Sequence, residues 1–412
     1  MKKALLAAAL MTGFAGIAHA ESSVTLYGII DAGYGYQGSE AKFKGGTAAQ
    51  NGKVSNDSFG ARSSTRSGTR WGIKGGEDLG NGTSAIFVLE SGFNSVRGES
   101  TQGGRLFGRN AYVGLSSESW GTLTIGRQYN AGDDFISDIN PLGSSWGFAG
   151  TKSVFGASVS HRYDRAIKYL SPQFSGFQFS VGVVHDDNET EYKGFGAEKL
   201  KTETSNMGVT SGFSYASGPL YIGASFDYID NEVKTQGVQE KDAETKAWNI
   251  GATYDFDVVK LHLLYGGQKD GSIGTTINSD NEYSSSPALA SYGVNAARGV
   301  YGWDEGNDFF GDGYSQHSWL VGLSAPVGDA GELMFSYAGS VADNDKMTIN
   351  AQTAEWEATT HNFSLAYTHS LSKRTSVYGV VSYGWSDLDN NIDSREVETK
   401  RTQAIVGLQH RF

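Results

Sequence analysis

The sequence predicts an all-β chain: a transmembrane antiparallel β-barrel of sixteen strands with short periplasmic turns and long extracellular loops. Three observations predict it. Apolar and polar residues alternate with a period of two along most of the 412 residues. The polar connections between the alternating segments are short, then long, then short again. The composition joins 56 Gly and 12% aromatics to only 5 Pro, with 38% hydrophobic residues and a mean hydropathy of −0.36. An ordinary soluble enzyme does not combine these.

The first twenty residues stand apart. Lys2 and Lys3 precede an apolar stretch from Ala4 to Ala18, and Ala18-His19-Ala20 has the small-x-small form of a signal peptidase site. Residues 1–20 therefore read as a secretory signal and 21–412 as the barrel domain. Losing two lysines leaves 31 basic against 45 acidic residues, a mature charge of about −14. That balance argues against a nucleic-acid partner, which requires a basic face. Without Cys there is no disulfide framework, zinc ribbon or thiol nucleophile.

Segments such as Val24 to Ile30, Phe177 to Val183, Trp248 to Phe256 and Phe363 to Thr368 carry aliphatic and aromatic residues on one face and Gly, Ser, Thr or Asn on the other. A soluble sandwich with its apolar face inward gives the same alternation as a barrel with that face on lipid. Three features decide for the barrel. Aromatics gather at segment ends (Tyr34, Tyr169, Phe177, Tyr254, Tyr337, Trp385), where interfacial girdles lie. Short turns such as 78–82, 117–120, 216–219 and 371–374 alternate with long loops near 37–65, 130–159, 187–205, 231–244, 269–315, 341–358 and 387–399. All five prolines fall outside the alternating segments, as expected of a hydrogen-bonded ladder. The segments number sixteen: 22–36, 66–78, 83–95, 105–116, 121–129, 160–171, 176–186, 207–216, 220–230, 245–256, 258–268, 316–325, 331–340, 359–370, 375–386 and 400–412.

Parity then sorts the charges. With Trp71 and Ile73 on lipid, Arg70 and Lys74 face the lumen; Asp31 and Glu90 take the inward parity on the first and third segments. With Tyr163, Ile167 and Tyr169 on lipid, Arg162, Asp164 and Lys168 turn inward. Arg109 falls on the lipid parity set by Val113 and Leu115, unless Gly108 marks a bulge or the residue lies above the bilayer; Arg127 is ambiguous in the same way.

Several runs together resemble the general-diffusion porins of beta-proteobacteria. They are Ser23 to Gly28, Arg70 to Gly80, Leu89 to Phe93, Phe107 to Leu115, Gly121 to Gln128, Leu371 to Thr375 and the terminal His410-Arg411-Phe412. The resemblance implies a homotrimeric pore in outer-membrane lipid and lipopolysaccharide, passing small hydrophilic solutes and ions by passive diffusion. It implies a third loop, 130–159, folded into the barrel, and a basic cluster at Arg70, Arg109 and Arg162 facing the loop acids Asp133, Asp134 and Asp138. It also implies that the final strand, with Leu408, His410 and Phe412 on one face, is read by the barrel-assembly machinery.

A transverse field between basic wall and acidic loop would bias ions without a binding site. Loop carboxylates at the mouths pull toward cations, but screening over about 8 Å weakens them against charges in the eyelet. The expected outcome is weak anion preference. Three other readings compete. A barrel enzyme would need an acid–base setting, and none of the seven mature histidines has one. A channel specific for one sugar or small anion would need an aromatic slide, and only Tyr27, Tyr112 and Tyr378 take the inward parity. A filled structural barrel would need bulkier inward residues. No cofactor or metal site is indicated, since the Asp-rich loop fragments lack the spacing of a calcium loop.

Overall fold

The computed structural model describes residues 23–45, 51–192, 200–235, 238–273, 311–349, 352–391 and 396–412. The signal segment and most of the 269–315 loop lie outside these residues. The strands are β1 (Ser23–Lys44), β2 (Gly52–Ser63), β3 (Arg70–Asp78), β4 (Thr83–Gly92), β5 (Asn110–Ser117), β6 (Gly121–Tyr129), β7 (Arg162–Leu170), β8 (Phe177–Tyr192) and β9 (Leu200–Ser217). They continue as β10 (Leu220–Thr235), β11 (Val238–Asp255), β12 (Lys260–Lys269), β13 (Tyr314–Val327), β14 (Gly331–Ile349), β15 (Gln352–Ser370), β16 (Thr375–Asn390) and β17 (Glu396–Arg411).

Among the described residues, seventeen strands occupy sixteen positions. The lower part of β1 pairs with β3, from Ser23 opposite Gly76 to Ile29 opposite Arg70. Its upper part pairs with β2, from Ala32 opposite Ser63 to Phe43 opposite Gly52. β2 and β3 are therefore one wall position broken at residues 64–69. On its other edge β1 pairs with β17 from Ile29–Arg411 to Lys44–Glu396, which closes the barrel. Gly28 and Phe412 exchange backbone hydrogen bonds of 3.1 Å at the seam. A Cβ on Gly28 would lie 2.4 Å from the Phe412 ring and 2.7 Å from the Arg70 carbonyl oxygen, so this position is held to Gly by close approach.

The extracellular strand ends extend well past the expected boundaries. Much of what reads as loop at 37–65, 187–205, 231–244, 341–358 and 387–399 is paired strand. The alternation inverts there. Within the membrane band β16 and β17 expose Val381, Tyr383, Val406 and Leu408 and turn Ser382, Gln403 and Gln409 inward. Higher up, Leu388 and Val397 are buried inward beside Trp356, Ala358 and Phe43, while Asp387, Glu396 and Glu398 point outward. Outside the bilayer the solvent around the barrel is water, so the apolar face belongs inside. A search for lipid-facing alternation stops where the polarity flips.

Residues 130–161 pass inside the barrel and carry two short helices, α1 (Ala131–Phe135) and α2 (Lys152–Phe155). Ile136, Ile139, Val154, Phe155 and Val159 pack on inward Leu264, Leu320 and Ala338. Leu142, Trp146 and Ala149 pack on Met334, Ala366, Tyr378, Val380 and Ile405. These wall positions are apolar on the inward parity because the loop covers them. Polar wall residues meet the loop's backbone, as an enclosed segment requires. Thr210 Oγ1 accepts from the Ala131 N–H (2.8 Å), Tyr221 donates to the Phe135 carbonyl (2.9 Å), and Gln316 donates to the Val154 carbonyl (2.6 Å). His262 joins the Ile139 carbonyl (2.6 Å) to Ser324 (3.1 Å) and so anchors the loop.

Candidate pore constriction

The loop narrows the lumen to a cavity of about 990 Å³. Among the described residues, its charged lining is Arg66, Arg70, Arg109, Lys152, Arg162 and Arg401 against Glu90, Asp133 and Asp138. Six basic side chains share this lining with three carboxylates.

Glu90 is the hub of one group. It is 5% exposed, and its Oε1 lies 2.6 Å from Arg109 Nε. Its Oε2 lies 3.7 Å from Arg70 Nε and accepts the Tyr27 hydroxyl at 3.0 Å. Arg109 reaches this site because β5 begins at Asn110: Val113 and Leu115 do face outward, but their parity does not extend back to a residue in the preceding connection. The Arg109 N–H instead pairs with the Glu90 carbonyl at 3.1 Å. The guanidinium of Arg162 lies over the Tyr129 ring at 4.5 Å and donates to the Tyr129 hydroxyl at 2.5 Å.

Other candidates take different places. Asp31 is fully buried and does not line the cavity. It accepts the backbone N–H groups of Thr65 (2.9 Å), Arg66 (3.4 Å) and Ser67 (3.2 Å) and the Tyr378 hydroxyl (2.8 Å), holding the break between β2 and β3. Lys168 faces inward but lies against the loop. Its Nζ is bound by Asp134 at 2.9 and 3.0 Å and by the Tyr129 carbonyl at 2.9 Å, and Ser180 donates to the same carboxylate at 2.9 Å. Asp134 and Lys168 thus fasten α1 to the wall, and burial raises the Asp134 carboxyl despite the lysine. Lys74 lies near the periplasmic end, exposed and 5.5 Å from the Tyr27 ring centroid.

The parity reading of β7 also needs correction. Arg165 adopts φ 53, and the register shifts so that Gln128 faces Tyr163 while Gly126 faces Ala166. This bulge turns Tyr163 away from lipid: it is 1% exposed and donates to Asp227 at 3.0 Å. Asp164 is held by Arg105 (2.9 Å) and Arg127 (2.7 Å), outside the cavity lining.

Asp133 and Asp138 do line the cavity. Asp133 accepts the Ser160 hydroxyl at 2.5 Å, and burial followed by the Asp133 charge raises the Asp138 carboxyl. Arg66, Lys152 and Arg401 complete the lining, and the sequence reading omits all three. Burial, with Arg162 and Arg109 adding repulsion, pushes the Lys152 ammonium down to about 7. Burial and the charge of Lys152 push His161 to about 3.

The sequence matches the family model described as Gram-negative porin over residues 4–391. It is 38% identical over 420 residues to an outer-membrane porin protein of Bordetella pertussis, covering 100% of both chains. The chain belongs to the Gram-negative porin family. This porin is also 28% identical to outer-membrane porin protein 32 of Delftia acidovorans, over 93% of its own length and 89% of that protein. Among solved structures it is similar to the anion-selective porin from Comamonas acidovorans, with a TM-score of 0.58 and 24% identity, covering 95% of this chain and 100% of that one. A Salmonella typhi OmpF structure gives 0.53 at 15% identity, over 94% and 97%. At such identities the structural likeness speaks for the barrel alone. The porin is a β-barrel channel of the Gram-negative outer membrane, and family and fold point to a channel rather than an enzyme.

Proposed function

We propose that this porin passes small hydrophilic solutes and ions by passive diffusion and prefers anions weakly. One observation carries the reading: six cations against three carboxylates among the described lining residues of the narrowed lumen. Glu90, moreover, is committed to Arg109 and Arg70, so it offers a passing cation little. A net positive lining lowers the barrier for anions and raises it for cations. The wall cations Arg70, Arg109 and Arg162 share the cavity lining with Asp133 and Asp138, and Lys152 on the loop adds a further basic group. We further propose that residues 1–20 are removed on export. We also propose that the chain assembles as a homotrimer in outer-membrane lipid and lipopolysaccharide, and that Leu408, His410 and Phe412 present the assembly signal.

Reversal potentials of the purified protein in planar bilayers under a KCl gradient test the main reading. The expected sign is that of chloride preference; a potassium-selective sign overturns it.

A further inference from the structure

Two cations of the lining sit apart from Glu90, each against an aromatic ring of the inward loop. Arg66 Cζ lies 5.6 Å from the centroid of Trp146, and Arg401 Cζ lies 4.7 Å from that of Phe148. The backbone that presents these rings is bent in a costly way. Trp146 adopts φ 71 and ψ 31, and Gly147 follows at φ 60. A bulky residue in the left-handed region is strained and persists only where its surroundings over-determine it.

Here they do. Gln403 donates to the Trp146 carbonyl (2.9 Å) and accepts from the Phe148 N–H (3.0 Å), while Asn362 donates to the Phe148 carbonyl (2.8 Å). Trp146 is 5% exposed and belongs to the packed cluster beneath the loop. Phe148 does not belong to that cluster, stays partly exposed, and lines the cavity. The strained turn therefore holds an apolar ring against the lumen with a guanidinium beside it, which packing alone does not require.

We infer that this ledge favours planar aromatic carboxylates over smaller or non-planar organic anions. The cationic lining draws the carboxylate, and the solute's ring stacks on Phe148. Arg401 withdraws electron density from the Phe148 ring, which makes that ring a better partner for an electron-rich anionic one. The inference rests on the anion-preferring reading and adds a solute class to it.

Bi-ionic reversal potentials in planar bilayers, with chloride on one side and acetate, benzoate or cyclohexanecarboxylate on the other, read the order of permeation. Benzoate is expected to equal or exceed acetate despite its larger size, and to exceed cyclohexanecarboxylate. Phe148→Leu, which keeps apolar bulk, and Phe148→Ala should each lower the benzoate-to-acetate ratio about two- to tenfold, the range of one aromatic pair. Phe148→Tyr should preserve it. Every variant should still run as folded, heat-resistant barrel on gels, which shows that the wall is intact. An order set by size alone in the wild type, or a ratio unmoved in both Phe148→Leu and Phe148→Ala, overturns the inference while leaving anion preference standing. Potassium selectivity in the wild type would instead remove the reading beneath it.

Discussion

Replacing Arg70 by Gln is the cleanest probe of the constriction. The change takes the lining from six cations against three carboxylates to five against three. It leaves Glu90 its nearest partner, Arg109 at 2.6 Å, and its Tyr27 hydrogen bond. A unit charge ~6 Å from a passing ion contributes about 0.7 kcal/mol in water. Screening at physiological salt reduces this to about 0.3 kcal/mol. The charge acts with opposite sign on chloride and potassium, so the permeability ratio changes by about twice that energy, roughly threefold toward potassium. Reversal potentials in a KCl gradient give the ratio directly, and recordings at higher salt should show a smaller change. Arg109→Gln makes the contrast. It removes the same charge but takes the 2.6 Å partner from a carboxylate that is 5% exposed, and breaking a buried pair typically costs about 3–5 kcal/mol. That variant should lose folded, heat-resistant barrel on gels, whereas Arg70→Gln should not. If the permeability ratio of Arg70→Gln matches the wild type at low salt, the electrostatic account of this lumen is wrong.

Lys152 makes selectivity depend on pH. With its ammonium pushed down to about 7, it is charged below that value and neutral above, so chloride preference should strengthen as pH falls from about 8 to about 6. His161, held to about 3, stays neutral throughout, and Lys152→Gln should flatten the profile; an unchanged slope in that variant would show that another group titrates. Gly223→Val tests the seat of the loop. A Cβ there would lie 2.3 Å from the Phe135 carbonyl oxygen, a backbone atom that cannot rotate away, so α1 must lift from the wall. Single-channel conductance should change and barrel yield should fall, while a variant with wild-type conductance and yield would refute the packing argument.

What the sequence makes legible follows from what parity can report. Arg70 and Glu90 sit on regular strands, so alternation places them inward and they line the cavity. Asp31 and Lys168 also follow parity, yet both lie behind backbone or loop, because alternation gives the face of a residue and not its depth. Arg401 shares the inward parity of Gln403, so the same alternation places it in the lumen. Arg66, in the strand break, shares the parity of Arg70 within the expected 66–78 segment, whereas Lys152 on α2 carries no periodic signal. Tyr163 fails for a different reason: the left-handed residue Arg165 and the register shift beside it break the alternation there, so parity read from Ile167 and Tyr169 does not carry back to Tyr163. The inward seat of the loop leaves a trace too, in Leu264, Leu320, Met334 and Val380, apolar residues on the face that should be wet.

Among the described residues, part of the acidic charge sits on a surface that the permeating ion does not cross. On the upper strands Asp343 lies opposite Glu357, Glu357 opposite Asp389, and Asp389 opposite Glu396, four carboxylates in one row across β14 to β17. Like charges directly opposite destabilise a sheet. The row is tolerable because it faces outward into water, and because Lys44 on β1 stands opposite Glu396 and is ion-paired to Glu398. An acidic funnel for cations would need these groups on the other parity. At the same height the inward positions are Trp356, Ala358, Leu388, Val397 and Phe43, all buried and uncharged. A wall of apolar side chains thus separates the acidic belt from the path of the solute. The belt can shape what approaches the barrel from the side, and under the proposed anion preference the sign of selectivity is expected to rest on the few arginines and one lysine that line the cavity at the inward loop.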